Sequence, residues 1–132
     1  MKKVFLAYKP ISIDFGLLIL RIVASAAMIT HGWPKFNRVL EGNFKFGDPL
    51  GIGSATSLIL AASSEFICSI LILVGLFSRW ATIPLIITMS VAAFIVHGDD
   101  GFGAKEKAVL YLAIFVTLFF TGSGRFSLDR RL

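Results

Sequence analysis

The sequence predicts an all-α integral membrane protein, an antiparallel four-helix bundle with both termini cytoplasmic. Apolar stretches recur along all 132 residues, which are 56% hydrophobic and only 16% charged. The mean hydropathy of +0.83 lies outside the soluble globular range. The Lys and Arg residues gather mostly between the apolar stretches rather than within them. Spans are expected at about 15–31, 56–77, 80–97 and 105–121, and no linker of Pro, Ser or charge divides them, so 1–132 reads as one domain.

The chain begins with a short basic lead carrying Lys2, Lys3 and Lys9, closed by Pro10, and Asp14 is the expected N-cap of the first span. Ala24-Ser25-Ala26 imitates a signal-peptidase site, but Arg21 interrupts the apolar region a signal peptide needs, so the span is expected to stay. At helical spacing Arg21, Ala24, Ser25, Met28 and Gly32 share one face, with His31 at its edge, while Ile19, Ile22, Val23, Ala26 and Ile29 point elsewhere. His31-Gly32-Trp33-Pro34-Lys35-Phe36 is expected to end the helix, because Gly and Pro stop it and Trp33 suits the headgroup level. The following loop, to about Gly53, is too polar to cross and too rich in Gly for one long helix. Its Gly51 and Gly53 are no phosphate-cradling motif, since no strand precedes them and no Lys-Ser/Thr pair follows.

In the second span Ala61, Ala62, Glu65, Cys68 and Ser69 share a face, and Leu60, Ile67, Leu71 and Val74 lie away from it. Small residues there let another helix approach closely. The Ser78-Arg79 turn is so short that the third span should run antiparallel beside the second, with Pro84 in its first turns. His97-Gly98-Asp99-Asp100-Gly101 closes the third span, and Asp99 and Asp100 read as a solvated loop. The fourth span presents a mixed face of Tyr111, Ile114, Thr117, Leu118 and Thr121 and can begin as early as Gly103; a Gly-punctuated basic tail follows.

The side holding both termini and the 78–79 turn carries seven basic residues, Lys2, Lys3, Lys9, Arg79, Arg125, Arg130 and Arg131; the other carries five, Lys35, Arg38, Lys45, Lys105 and Lys107. That excess is what orients both termini inward. The net charge of +5 forms no basic stripe with interleaved aromatics, so nucleic acid is not an expected partner. Cys68 is the sole cysteine, which excludes an intramolecular disulfide, a Cys-x-x-Cys pair and a thiolate metal cluster.

An ionised side chain at mid-span costs at least about 2.5 kcal/mol by insertion scales, so Glu65 needs a partner, a proton or a cavity. Arg21 lies about 10 Å, and Glu65 about 18 Å, above the inner edge at 1.5 Å rise per residue. An Arg side chain can bridge that offset. An interior Arg21–Glu65 ion pair is therefore expected, supported by Ser25 and Ser69. His31 and His97 arrive at the outer side, with Tyr111 about one and a half turns into the fourth span. The expected site is an outward-opening pocket with Arg21 and Glu65 at its floor and His31, His97 and Tyr111 near its mouth. Glu65, Arg21, His31 and His97 are its candidate catalytic residues, and these four with Tyr111 its candidate cofactor-binding residues. The other reading of Arg21 and Glu65 is a structural pair that fixes helix register, and of each His, an interfacial helix cap. Bis-His haem or metal ligation lacks a supporting pattern, and no metal ligand is assigned. Nor is there a Ser/His/Asp set or nucleotide motif to support a hydrolase, kinase or dehydrogenase.

Several short motifs, in order, resemble the DoxX family: an Arg in the first span (Arg21), His-Gly-x-x-Lys (His31, Gly32, Lys35), a lone Glu in the second (Glu65), Gly-Leu-Phe-Ser-Arg (75–79), His97 after the third, and Gly-x-Gly-Arg-Phe-Ser-Leu-Asp (122–129). The resemblance runs from about Phe15 to Asp129. It implies a multi-pass protein of the bacterial inner membrane, related to the small subunits of thiosulfate:quinone oxidoreductases and linked to quinone chemistry or oxidative stress.

Two functions of different class follow. One is a quinone- or quinol-interacting redox accessory subunit, in which Glu65, His31 or His97 exchanges protons with the ring and Arg21 polarises a carbonyl or stabilises a quinol anion. Electrons would come from a membrane or soluble oxidoreductase partner, because the chain has no redox pair of its own. The other is a non-catalytic membrane scaffold that recruits or stabilises a redox enzyme. A small-molecule transporter is a third reading, which four short spans accommodate only in a homo-oligomer.

Overall fold

The structure, a computed structural model, describes residues 6–131; Lys2 and Lys3 of the basic lead lie outside the described residues. Among the described residues there are four long helices and no strands. They are α1 (Ile13–Leu40), α2 (Ser54–Val74), α3 (Ser78–Val96) and α4 (Phe102–Thr121), followed by a short 3-10 turn (Asp129–Arg131). Each helix packs on the next in sequence, and α4 closes against α1.

Helices α1, α2 and α3 are long and apolar enough to cross a membrane. Lys105, Glu106 and Lys107 charge the first turns of α4. Outward faces are apolar: Ile19, Ile22, Val23, Leu60, Ile67, Ile87, Phe94, Leu110 and Phe120 are all exposed. A soluble monomer rarely presents so continuous a greasy shell, and a bilayer is the solvent it suits. The core is Leu17, Met28, Ile72, Ala81, Leu85, Met89, Phe115 and Leu118.

The α1 face agrees with the periodic reading: Arg21, Ala24, Ser25, Met28 and Gly32 are buried, together with Leu17. Its N-cap is not Asp14 but Ser12, whose hydroxyl accepts the Phe15 N–H at 3.2 Å. Asp14 lies in the first turn, where a carboxylate suits the helix dipole, and it accepts the Arg125 N–H at 3.0 Å. The expected stop at 31–36 does not occur, for α1 continues through Gly32 and Pro34 to Leu40. Proline removes one helical hydrogen bond, and packing of the following turn offsets the loss, with Phe36 stacked on Phe66 (4.8 Å between ring centroids) and Trp33 against the same ring (5.5 Å).

Both α2 and α3 contain a π-helical turn, at Ser63–Cys68 and Ala92–Val96. The wider turn in α2 buries the consecutive Ser64 and Glu65, which a strict 3.6-residue period does not anticipate. On α4, Phe115 and Leu118 are buried, whereas Thr117 and Thr121 of the expected mixed face are exposed.

The loop between α1 and α2 is fastened by Asp48, whose carboxylate accepts the N–H groups of Ile52 and Gly53 (2.9 Å each) and the Ser57 hydroxyl (3.1 Å). The Gly53 N–H, more than the others, holds this carboxyl below the usual range.

Candidate functional site

Arg21 and Glu65 are both almost fully buried, at 2% and 3% exposure, but they do not pair. The guanidinium donates to the carbonyls of Ile72 (3.0 Å), Leu73 (3.0 Å), Ser123 (2.9 Å) and Phe126 (2.8 Å). The expected ion pair fails because main-chain acceptors surround Arg21 at its own depth. A helix leaves its last four carbonyls without partners, and α2 ends beside Arg21. Gly75, at φ 74, turns the chain so that its own N–H reaches Ile72 O and the Leu76 N–H reaches Leu71 O, the Schellman arrangement. The Leu128 N–H takes Val74 O, and Arg21 takes the remaining sites on Ile72 and Leu73.

The closing segment 122–129 is thus part of the same lock. A Cβ on Gly75 would come within 2.3 Å of the Ser127 Cβ and 3.0 Å of Arg21 Nη2, so only glycine fits there. Asp129 accepts the N–H groups of Phe77 (2.6 Å) and Ser78 (3.0 Å), at the start of α3, and the Ser123 hydroxyl (3.1 Å). Burial works to raise the Asp129 carboxyl, but these donors outweigh it and hold it below the usual range. Arg79 caps α4 by donating to Phe119 O at 3.0 Å. Three of the sequence motifs, Arg21, 75–79 and 122–129, form one architectural unit that joins the ends of α2, α3 and α4.

The partner of Glu65 is Lys35, whose Nζ lies 2.7 Å from Oε1 and 2.6 Å from Oε2. Sequence reasoning missed it, because a helix ended at Gly32–Pro34 would remove Lys35 from the interior. The signal was present: Met28, His31, Gly32 and Lys35 recur at helical spacing on one face once α1 continues. Gly32 sets the distance. A Cβ there would fall 2.5 Å from the carbonyl carbon of Glu65 and 2.6 Å from the nitrogen of Phe66. With Gly32 against the main chain of Glu65, Lys35 one turn further on meets its carboxylate. The expected support from Ser25 and Ser69 is also absent: both hydroxyls are buried without a hydrogen-bond partner, and these residues act as small spacers between close helices.

His31, Glu65, His97 and Tyr111 do come together, lining a cavity of about 250 Å³ with Met28, Met89, Ala92, Ala104, Lys107 and Ala108. The His31 ring meets Tyr111 edge-on at 6.0 Å, and Tyr111 stacks on Phe115. His97 Nδ1 lies 3.0 Å from Asp100 Oδ2, so Asp100, expected only to be solvated, orients that imidazole. Lys107 was not among the expected site residues, and Arg21 is not in this cavity. The cavity offers two imidazoles, a phenol, a carboxylate and an ammonium around sulfur and methyl walls, a set able to hydrogen-bond a flat polar ring and exchange protons with it. No group of three or more His, Cys, Asp or Glu residues disposed to hold a metal ion occurs among the described residues.

A helical multi-pass membrane protein with a charged, cavity-lined interior is the class these features define. The DoxX family model matches residues 16–98, and the chain belongs to the DoxX family. That match ends just after His97, so α4 and the 122–129 segment lie beyond it. Similarity to individual relatives extends over more of the chain. The chain is 33% identical to an uncharacterized protein of Haemophilus influenzae, over 94% of this chain and 92% of the relative. It is 31% identical to an uncharacterized membrane protein of Mycobacterium tuberculosis, over 89% of this chain and 81% of that one. No solved structure matches the chain significantly.

Proposed function

We propose that this protein is a quinone- or quinol-interacting accessory subunit of the bacterial inner membrane, an antiparallel bundle of four spans with both termini cytoplasmic. The ring occupies the cavity of His31, His97 and Tyr111. The observation that carries the reading is the carboxylate of Glu65, buried in the wall of that cavity and paired from outside it with the half-buried Lys35. A charged carboxylate is costly to bury, and a purely structural bundle has the Arg21 lock for cohesion.

Reduction of a quinone takes two electrons and two protons, one proton for each ring oxygen. His31 or Glu65 supplies or accepts the proton at one oxygen and His97 the proton at the other, while Tyr111 donates a hydrogen bond. Lys107 takes the role expected of Arg21, stabilising a quinol anion, since Nε, Nη1 and Nη2 of Arg21 are all committed to carbonyls. The electrons come from a partner oxidoreductase. The resemblance to small subunits of thiosulfate:quinone oxidoreductases supports the same choice of ligand.

The test is equilibrium binding of a tailless benzoquinone to purified protein in nanodiscs, with Glu65→Gln and His31→Ala beside the wild type. Binding that weakens tenfold or more in both variants is the expected result. No saturable binding to the wild type would remove the proposal.

A further inference from the structure

A second cavity, of about 330 Å³, lies between α2, α3 and the 46–52 loop. Apart from Lys35, Glu65, Ser57 and Thr88, its walls are apolar or glycine. Glu65, Met89 and Ala92 line both this cavity and the one beside His31. The partition is therefore thin, one residue of α2 and two of α3. It lies at the two π-helical turns, Glu65 within one and Ala92 opening the other. Such turns mark places where a helix is widened for function. Leu60, Ile87 and Val96, on the outer wall, are about half exposed on the lipid-facing surface.

We infer that the apolar cavity holds the hydrocarbon tail of the ligand whose ring lies beside His31, so that the two cavities form one site with a head chamber and a tail chamber. This inference rests on the ring-binding reading above. Charge selects the occupant. A phospholipid in the same groove would bring a phosphate to Lys35, but both Glu65 oxygens already neutralise that ammonium at 2.6 and 2.7 Å. Phe46 lines the chamber beside that ammonium, its ring centroid 6.0 Å from Lys35 Nζ. A neutral chain needs no counter-charge, and the polar groups able to serve a head are on the far side of the partition. Because lipid tails are as apolar as the chamber walls, the chamber directs the ligand laterally from the bilayer and adds little affinity. Labelling therefore tests it better than a dissociation constant.

The experiment uses the full chain in phospholipid nanodiscs and a benzoquinone bearing a photoactivatable diazirine in an alkyl tail, with mass-spectrometric mapping of the crosslinks. Crosslinks are expected on Leu60, Ala61 and Ile87, displaced by excess tailless benzoquinone. Ala61→Trp should reduce them at least fivefold while the tailless ring keeps its wild-type binding. If that variant does not fold, Leu60→Trp at the groove mouth serves the same purpose. Crosslinks confined to outward residues such as Phe94 and Leu110 would overturn the tail chamber while leaving ring binding intact. Crosslinks in the chamber that the tailless ring does not displace would overturn the joint site and identify a groove for lipid chains. Absence of ring binding in the separate equilibrium assay would remove the functional reading and the tail chamber with it.

Discussion

Gly32 of α1 lies directly on the main chain of Glu65 in α2, with no room for a single methyl group between them. This contact positions Lys35 against the Glu65 carboxylate and fixes the level at which the polar interior is built. Replacing Gly32 by Ala forces the helices apart, and overpacking of this kind costs about 1–3 kcal/mol. Thermal unfolding in detergent should show the loss, and Gly32→Ala should weaken ring binding although it removes no polar group. An unchanged Tm would mean that the contact is slack.

Removing Lys35 alone leaves a carboxylate buried without its cation. Breaking a fully buried pair costs about 3–5 kcal/mol, and with Lys35 partly exposed the loss lies at or below the lower end of that range, so Lys35→Met should be destabilised while Lys35→Met with Glu65→Gln recovers much of the loss. A double-mutant cycle measured by reversible unfolding reads the coupling directly. Additive losses would show that the two side chains do not depend on one another.

Arg21 should behave differently, as a lock rather than a site residue. Its fork spreads donors over four carbonyls from two segments, and a lysine ammonium cannot reproduce that geometry. Arg21→Lys should therefore lower stability and loosen the 122–129 segment, visible as faster amide exchange there, while the tailless ring still binds the folded fraction with wild-type affinity.

Asp129 gives the lock a pH dependence. Its carboxyl is held below the ordinary carboxylate value by the Ser78 and Phe77 N–H groups against the opposing effect of burial. A depressed folded value contributes stability that is present above the unfolded value, near pH 4, and is lost as pH falls through the lower folded value. Acid titration of unfolding should show this decline in the wild type and a shallower one in Asp129→Asn.

Much of this was legible in the sequence, for reasons that differ by residue. The buried face of α1 followed from period alone, because Arg21, Ala24, Ser25, Met28 and Gly32 recur at helical spacing and lipid-facing Ile22 and Val23 do not. Glu65, His31, His97 and Tyr111 could be gathered from span ends and rise per residue. What failed were pairings. Pro34 and Gly32 signal a helix stop in water, but within a bundle neighbouring helices hold such a segment helical, and that error hid Lys35. The π turn at Ser63–Cys68 has no periodic signature. Arg21 misled because two opposite charges suggest one another more readily than an Arg suggests a set of carbonyls. The motif 122–129 carried its meaning only once its backbone was seen bonded to the end of α2.

The division of the polar interior into a lock around Arg21 and a proposed ligand site around Glu65 is tested most directly by tailless benzoquinone binding to four proteins side by side: wild type, Glu65→Gln, His31→Ala and Asp129→Asn. Weakening of tenfold or more in the two site variants, with wild-type affinity in Asp129→Asn, is the expected pattern. Equal affinity in all four, or a loss confined to Asp129→Asn, would contradict it.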